Sequence, residues 1–408
     1  MTPELKGFLL FSVLKMLAVF TMVMVGVALL TLMERKIAGW IQNRPGPNRV
    51  GPWGLLQPVA DGIKNFAKEE TRPAEASQGL FMLAPAMAFI PAVTLMAVIP
   101  LAAPLPLEVD WTLPLIGRIV HTGDLPLVVA DLPIGFLFIL AMSSLGVYGV
   151  ALAGWSSNSK YSLLGGLRAS AQMVSYEVAL GLSLIPVLLL SGNVAFSELI
   201  ARQQEGLWFI FPLTLSFFLF LVSGFAETNR LPFDMPEAES ELVAGYHAEY
   251  SAMKFSLFMI GEYAHIVTIA AMIATVFLGG WDIPFTTWDE QGGVLQTLAT
   301  HAAFFAKMFF WIFFVMWIRW TLPRFRYDQL MSLGWKVMLP LALAYIMVTA
   351  GAIWGIDRAW PAAGPVGRSA ALFGLNLVIC WLVFFRLDRG RVMRGVSSRP
   401  LARARVEG

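Results

Sequence analysis

Residues 8–33 read FLLFSVLKMLAVFTMVMVGVALLTLM, and this stretch decides the class of fold. Its only charged residue is Lys15, and a helix needs about 20 apolar residues to cross the hydrocarbon core of a bilayer. Comparable apolar stretches follow at 80–103, 126–154, 169–191, 207–226, 251–280, 300–322, 336–356 and 367–387. We therefore predict an all-α polytopic membrane protein with about nine transmembrane helices.

The composition supports this prediction and excludes several other classes. Hydrophobic residues make up 57% of the 408 residues and charged residues 14%, whereas soluble proteins carry about 25% charged residues. The single cysteine, Cys380, cannot build a disulfide framework or a Cys-ligated iron–sulfur cluster. The sequence contains no P-loop, GxGxxG motif or nucleophile elbow. We expect no nucleotide, nucleic acid, metal or catalytic residue on this chain.

The charges of the connecting segments predict the orientation. Lys and Arg are concentrated in alternate connections and at the end of the chain, whereas the opposite side holds only Lys6, Arg118, Arg202 and Arg358. The positive-inside rule then places the N-terminus outside and the C-terminus inside. We predict one membrane domain over 1–387, followed by an Arg-rich cytoplasmic tail at 388–408. The outer connections 104–125, 192–206, 281–299 and 357–366 are interpreted as ordinary loops.

The first inner connection combines a turn-rich strip with a helical pattern. The strip RPGPNRVG at 44–51 keeps the backbone out of a helix and carries Arg44 and Arg49. From about 53 to 69, apolar residues recur at helical spacing against polar ones, which predicts an amphipathic helix in the interface plane. This helix either faces lipid headgroups or forms the wall of a cavity that admits an amphipathic ligand from the membrane.

The acidic cytoplasmic loop 227–250 reads ETNRLPFDMPEAESELVAGYHAEY. Against the single Arg230 it carries Glu227, Asp234, Glu237, Glu239, Glu241 and Glu249. Asp234 has the position of a helix cap, with Pro236 in the first turn. Crowded carboxylates that are withdrawn from water cannot all ionise, so such a loop can take up or release protons. The alternative is a solvated acidic face.

Two further carboxylates lie inside predicted spans. Glu177 and Glu262 fall roughly 12 and 16 Å deep at 1.5 Å per residue. Intramembrane acids are costly, and they commonly line a water-filled path, pair with a base or relay protons. Together with the acidic loop, they predict a proton path from an inner-side site into the bilayer. An ion-pair network with the basic residues of 155–168 and 319–336 is equally compatible with the sequence.

The inner segments carry a series of specific motifs, which occur in order between about 10 and 345. They are Glu34 to Lys36 with Gln42 and Arg44, GPNRVG at 46–51, QPVADGIK at 57–64, KE at 68–69, SNSKYSLLGGLR at 157–168, AQMVSYEV at 171–178, AETNRLPFDMPEAESELVAGYHAEYS at 226–251, Glu262 with Tyr263, and PRFRYDQLMSLGWK at 323–336. In these motifs the chain resembles the family of quinone-chamber membrane subunits of respiratory complex I, the proton-translocating NADH:quinone oxidoreductase. The resemblance weakens after about 345, so the last span and the tail are unexplained by it.

This resemblance implies a tunnel for a quinone substrate, either ubiquinone or menaquinone. It implies quinone-binding roles for Arg44, Arg49, Asp61, Arg72, Glu227 and Arg230. It implies proton-coupling roles for Glu177, Glu227, Glu237, Glu239, Glu241, Glu249 and Glu262.

The same resemblance implies that this chain acts as one subunit of an enzyme and binds no cofactor itself. FMN and iron–sulfur clusters are expected on partner subunits, among them the peripheral-arm subunits around the terminal cluster. Small and antiporter-like membrane subunits are the other expected partners, and the bacterial plasma membrane is the expected location. Three alternatives remain at this point: a hydrogenase-type paralogue, a secondary transporter and a purely structural anchor.

Overall fold

The computed structural model describes residues 2–113, 117–234, 243–284, 286–289, 292–362 and 364–388. Within these ranges, eight helices are long and apolar enough to cross a membrane, and one shorter apolar helix accompanies them. The predicted all-α polytopic membrane fold is confirmed. The predicted tail at 388–408 lies, apart from Asp388, outside the described residues.

Twelve α-helices are present in the described part of the chain. The first six are α1 (Pro3–Ile41), α2 (Gln57–Ala67), α3 (Gln78–Thr94), α4 (Gly135–Ser156), α5 (Lys160–Ser191) and α6 (Phe196–Gln204). The others are α7 (Thr214–Glu227), α8 (Ala252–Phe277), α9 (Val294–Thr321), α10 (Tyr327–Leu333), α11 (Leu339–Ala359) and α12 (Pro365–Asp388). Short 3-10 turns cover Pro52–Gly54, Leu95–Val98 and Gly245–His247, and a π-helical turn, Gly334–Met338, joins α10 to α11.

The fifth predicted span, 207–226, is shorter than its hydropathy suggests. Its helix, α7, has 14 residues, or about 21 Å, against roughly 30 Å of hydrocarbon. Pro212 explains the late start, because proline lacks an N–H and disfavours helical backbone in the residue before it. The Pro212 carbonyl accepts a hydrogen bond from the Asn376 amide of α12. A partner from α12 therefore satisfies backbone that α7 leaves unpaired.

Two of the outer connections are not ordinary loops, and that interpretation is wrong for them. Connection 192–206 contains α6. Connection 104–125 contains strands β1 (Leu105–Pro106), β2 (Val109–Leu113), β3 (Gly117–His121) and β4 (Asp124–Leu125). β2 pairs antiparallel with β3, with Val109 opposite His121, and β1 pairs with β4. Apolar Val109 and Ile119 are buried, and β3 packs against α1. Burial of this apolar face stabilises the small sheet.

The core of the bundle consists of α3, α4, α5 and α8, with α7 and α11 packed against α5. Small residues permit the close approaches. A Cβ on Gly154 would lie 2.6 Å from the Ser162 carbonyl oxygen, and one on Gly165 would lie 2.6 Å from the Gly245 Cα. Such contacts between small residues are the usual basis of helix packing in membranes. They fix α4 and α5 relative to the turn Gly245–His247.

Helix α2, Gln57–Ala67, lies within the stretch of about 53 to 69 for which the sequence predicts an amphipathic helix. Its apolar side chains Val59, Ile63 and Phe66 are exposed, and none of its residues is buried. The carboxylate of Asp61 instead forms an ion pair with Arg35 of α1. Helix α2 therefore presents an apolar stripe to its surroundings while this ion pair holds it to α1.

Candidate functional site

A cavity of about 1100 Å³, the large cavity, lies between α1, α2, α8 and the strip 44–47. Apolar side chains, among them Met24, Val27 and Met259, form much of its wall. Ligand pockets usually have volumes of roughly 300–1,000 Å³. The large cavity therefore has room for a bulky, mainly apolar molecule.

Five residues form a charge cluster in the wall of the large cavity. They are Glu34, Arg230, Glu262, Tyr263 and Arg319. Arg230 Nη1 lies 3.2 Å from Glu34 Oε2, and Arg230 Nε forms an ion pair with Glu262. Arg319 forms a second ion pair with Glu34, whose Oε2 also accepts a hydrogen bond of 2.5 Å from the Tyr263 hydroxyl. The Arg230 guanidinium lies 4.2 Å from the centre of the Tyr263 ring.

The charges of this cluster compensate one another within a buried environment. The side chains of Arg230, Glu34 and Glu262 are 5%, 8% and 9% exposed. Burial lowers the pKa of Arg230, but Glu262, Tyr263 and Glu34 raise it by more, so the guanidinium stays charged. Removal of one partner from such a pair leaves an uncompensated buried charge.

The chain segment after α7 positions Arg230. Buried Gln172 on α5 donates its amide to the Ala226 carbonyl at 2.8 Å, to Asn229 Oδ1 at 3.1 Å and to the Phe233 carbonyl at 2.9 Å. Asn229 adopts a left-handed φ of 50°, a conformation that asparagine tolerates better than most residues. The segment therefore turns sharply after α7 and directs Arg230 toward α1 and α8.

A second, small cavity of about 40 Å³ lies among α3, α4, α5, α7 and α8. Its lining includes Glu227, Glu262 and His265. A cavity of this size exceeds the roughly 10–15 Å³ needed to hold a water molecule, and its wall is partly polar. Glu262, a member of the charge cluster, lines both cavities. It therefore connects the charge cluster to the small cavity, which Glu227 also lines.

Two glutamates outside the charge cluster are hydrogen-bonded to adjacent serines of α4. The Ser143 hydroxyl donates to Glu227, and the Ser144 hydroxyl donates to Glu177. Glu227 belongs to the end of α7 and Glu177 to α5. One turn of α4 thus contacts carboxylates from two different helices.

Polar contacts surround the end of the large cavity at α2. Asp61 accepts a hydrogen bond of 2.6 Å from Arg35 and one of 3.2 Å from Gln57. Burial alone would raise the pKa of Asp61, but the hydrogen bond and the charge of Arg35 outweigh it and hold this pKa below its ordinary value. Burial lowers the pKa of His247, another lining residue, to about 4. Asp61 is therefore ionised and His247 neutral at pH 7.

The structure brings together most of the described residues that the sequence singled out. Arg44, Asp61, Arg230 and Glu262 line the large cavity, and Glu227 lines the small one. Arg49 and Arg72 lie on the surface, away from the lining of either cavity. Glu249 is half-buried and also outside both linings. Glu237, Glu239 and Glu241 lie outside the described residues.

Several side chains at the site were given no quinone-binding or proton-coupling role from the sequence. They are Glu34, Tyr263, His265, Ser143 and Ser144, whereas Arg319 belongs to the segment 319–336 whose basic residues were considered for an ion-pair network. Glu34 carried a usable signal, because it directly follows an apolar stretch and precedes two basic residues. The serines carried none, since serine is common in membrane helices and its partners here come from other helices.

This geometry defines a class of protein, namely a multi-pass helical membrane protein with a large ligand-sized cavity and buried ionisable side chains. In the described ranges, no group of three or more His, Cys, Asp or Glu residues could hold a metal ion. The family model described as NADH dehydrogenase matches residues 14–350. The chain therefore belongs to the NADH dehydrogenase family.

Curated relatives place the chain more narrowly, among the H-type subunits of NADH-quinone oxidoreductases. It is 52% identical to H-type subunit 1 of Geobacter metallireducens, over 82% of this chain and 94% of the relative. It is 49% identical to H-type subunit 2 of Koribacter versatilis, over 84% of this chain and 97% of the relative. It is 47% identical to the H-type subunit of Leptospira biflexa, over 82% of this chain and 92% of the relative. The resemblance to this complex I family is confirmed, and α12 lies beyond the family match.

Proposed function

We propose that this chain is the membrane subunit of a bacterial NADH-quinone oxidoreductase that receives quinone in the large cavity and couples its reduction to proton translocation. The observation that carries the proposal is the contact between that cavity and the charge cluster. A ligand in the cavity lies against buried ionisable groups, so a change in its charge or protonation acts directly on them.

The chemistry of the large cavity matches that of a quinone. A quinone combines an apolar isoprenoid tail with a ring that carries two carbonyl acceptors. Met24, Val27 and Met259 offer apolar surface to the tail, while Arg44 and Asp61 lie at the polar end beside α2. The exposed apolar stripe of α2 gives a tail access from the bilayer. The predicted quinone-binding roles of Arg49, Arg72 and Glu227 remain part of this proposal.

The electrons must come from partner subunits. The chain has one cysteine, whereas an iron–sulfur cluster is usually held by four cysteine thiolates. FMN and iron–sulfur clusters belong on peripheral-arm subunits, which dock beside the strip 44–51 and α2 and complete the quinone site there. Small and antiporter-like membrane subunits receive the coupling signal.

The buried carboxylates suggest the order of the coupling steps. Reduction of a quinone to a quinol consumes two electrons and two protons, and this demand changes the charge of groups beside the large cavity. Glu262 passes the change to Glu227 through the small cavity, and Glu177 follows next. The acidic residues Glu237, Glu239, Glu241 and Glu249 belong to the same system on the inner side.

An obstruction of the large cavity tests the binding proposal. Ala28 on α1 lines this cavity, so Ala28→Phe places a phenyl ring in the space proposed for the isoprenoid tail. We expect the KM for a long-tailed quinone to rise about tenfold, as loss of roughly 1.4 kcal/mol of binding would produce. The KM for a quinone with a truncated tail should change much less. The measurement is NADH-driven quinone reduction by the purified complex.

Leu29→Phe is the matched control for this experiment. Leu29 is the next residue of the same helix, is exposed and does not line the large cavity. This variant should keep the wild-type KM for both quinones. An Ala28→Phe complex that assembles and shows an unchanged KM for the long-tailed quinone would contradict the proposed site.

A further inference from the structure

We propose that Ser143 and Ser144 form a positioning pair on α4 that couples the protonation of Glu227 to that of Glu177. This inference rests on the proposed function, because it assigns the step between two carboxylates of the proton path. It concerns two hydroxyl groups that sequence patterns do not distinguish from ordinary helix serines.

The geometry of the pair is specific. Ser143 is 4% exposed and donates to Glu227 of α7, while Ser144 donates to Glu177 of α5. Consecutive residues of a helix are separated by about 1.5 Å along the axis and point in different directions around it. The pair therefore holds one carboxylate on each flank of α4, at the same level of the bundle.

Charges held in this way influence each other. The low dielectric of a membrane-protein interior strengthens Coulomb interactions between groups that water would otherwise screen. Two carboxylates at one level disfavour simultaneous ionisation, so a proton gained at Glu227 favours a proton released at Glu177. The serines determine the strength of the coupling between the two protonation steps, because they fix the positions of both carboxylates.

Ser144 has a second partner that suits both protonation states. Its hydroxyl also lies 3.0 Å from the Leu140 carbonyl oxygen, which is an acceptor within the same helix. When Glu177 is ionised, Ser144 donates to the carboxylate. When Glu177 is protonated, the carboxyl group can donate to Ser144 Oγ while the serine proton turns to the Leu140 carbonyl. The hydroxyl thus follows the proton without leaving either the serine or the carboxyl group unpaired.

The test uses the intact complex with Ser143→Ala, Ser144→Ala and the corresponding threonine variants. Loss of a hydrogen bond to a charged group predicts a fall of about tenfold in NADH-driven proton translocation and quinone reduction for the alanine variants. Threonine retains the hydroxyl and should restore most of both rates. Quinone reduction should also produce a change in the infrared band of the carboxyl groups. This change should be the same in the wild type and the threonine variants and different in the alanine variants.

Ser157→Ala is the control within α4 and its cap. Ser157 is buried, and its hydroxyl donates to the Ala153 carbonyl at 2.7 Å. This variant should keep wild-type rates and the wild-type band. If an alanine variant fails to assemble, Ser→Cys at the same position keeps a side chain of similar shape with a weaker donor and should give intermediate rates.

Two glutamine variants separate failure of this inference from failure of the proposed function. Glu227→Gln and Glu177→Gln should each lower proton translocation. Normal translocation in both would overturn the proposed proton path itself. If the glutamine variants lose translocation while the assembled alanine or cysteine variants match the wild type, only the serine inference is overturned. Failure of threonine to rescue an assembled alanine defect would also overturn it.

Discussion

Replacement of Arg230 by methionine is expected to abolish NADH-driven quinone reduction and to lower the free energy of unfolding by about 3–5 kcal/mol. Arg230 is nearly fully buried and forms ion pairs with Glu34 and Glu262. Without its guanidinium, two buried carboxylates face each other, with only Arg319 left to compensate them. Either one of these two carboxylates then takes up a proton, or α1 and α8 lose their relative arrangement.

Two further variants make this prediction specific. Arg230→Lys keeps the charge but lacks the planar fork that contacts both carboxylates, so it should recover part of the stability and little of the activity. Arg118→Met removes the arginine of an exposed pair with Asp110 and should leave both properties unchanged. Thermal unfolding of the purified complex and its quinone reductase rate are the measurements. Wild-type values of both for Arg230→Met would contradict the assigned role of the charge cluster.

Replacement of Glu262 by glutamine is expected to lower quinone reduction and proton translocation together, each by about tenfold or more. Glu262 lines both cavities and pairs with Arg230, so it connects the charge cluster to Glu227. Glutamine preserves the size and polarity of the side chain but cannot ionise. Because the two processes are coupled, loss of the protonation step slows electron transfer to quinone as well.

Glu205→Gln provides the control for this second prediction. Glu205 is an exposed carboxylate paired with Arg202, outside the lining of either cavity. Its variant should show wild-type rates. Oxidation of NADH by an artificial acceptor that bypasses quinone should be equal in the wild type and both variants, which verifies assembly. Normal quinone reduction and translocation in Glu262→Gln would remove Glu262 from the proposed path.

Most of the helical framework could be predicted from the sequence, because hydropathy records which segments prefer lipid to water. The exceptions arise from contacts that hydropathy does not record. Helix α7 begins late because Pro212 interrupts it, and Asn376, far along the chain, donates a hydrogen bond to the Pro212 carbonyl. The 104–125 hairpin forms because its apolar face packs against α1.

The site was predictable where a charge stood against an apolar background. Arg230, Glu177 and Glu262 are conspicuous for this reason, and the structure places Arg230 and Glu262 in direct contact. The contacts between their partners were not predictable, since Glu34 and Tyr263 come from helices far apart in sequence and meet only in the folded bundle. Hydrogen bonds from serines to carboxylates depend on helix rotation, which one sequence does not specify.

The central claim, that the large cavity binds quinone, is tested most directly by photolabelling of the purified complex with a quinone that carries a photoreactive group on its tail. We predict covalent label in this chain within 24–38 and 253–263, the segments of α1 and α8 that line the cavity. Excess unlabelled quinone should suppress it. Label confined to other subunits, or to segments of this chain outside the cavity wall, would contradict the claim.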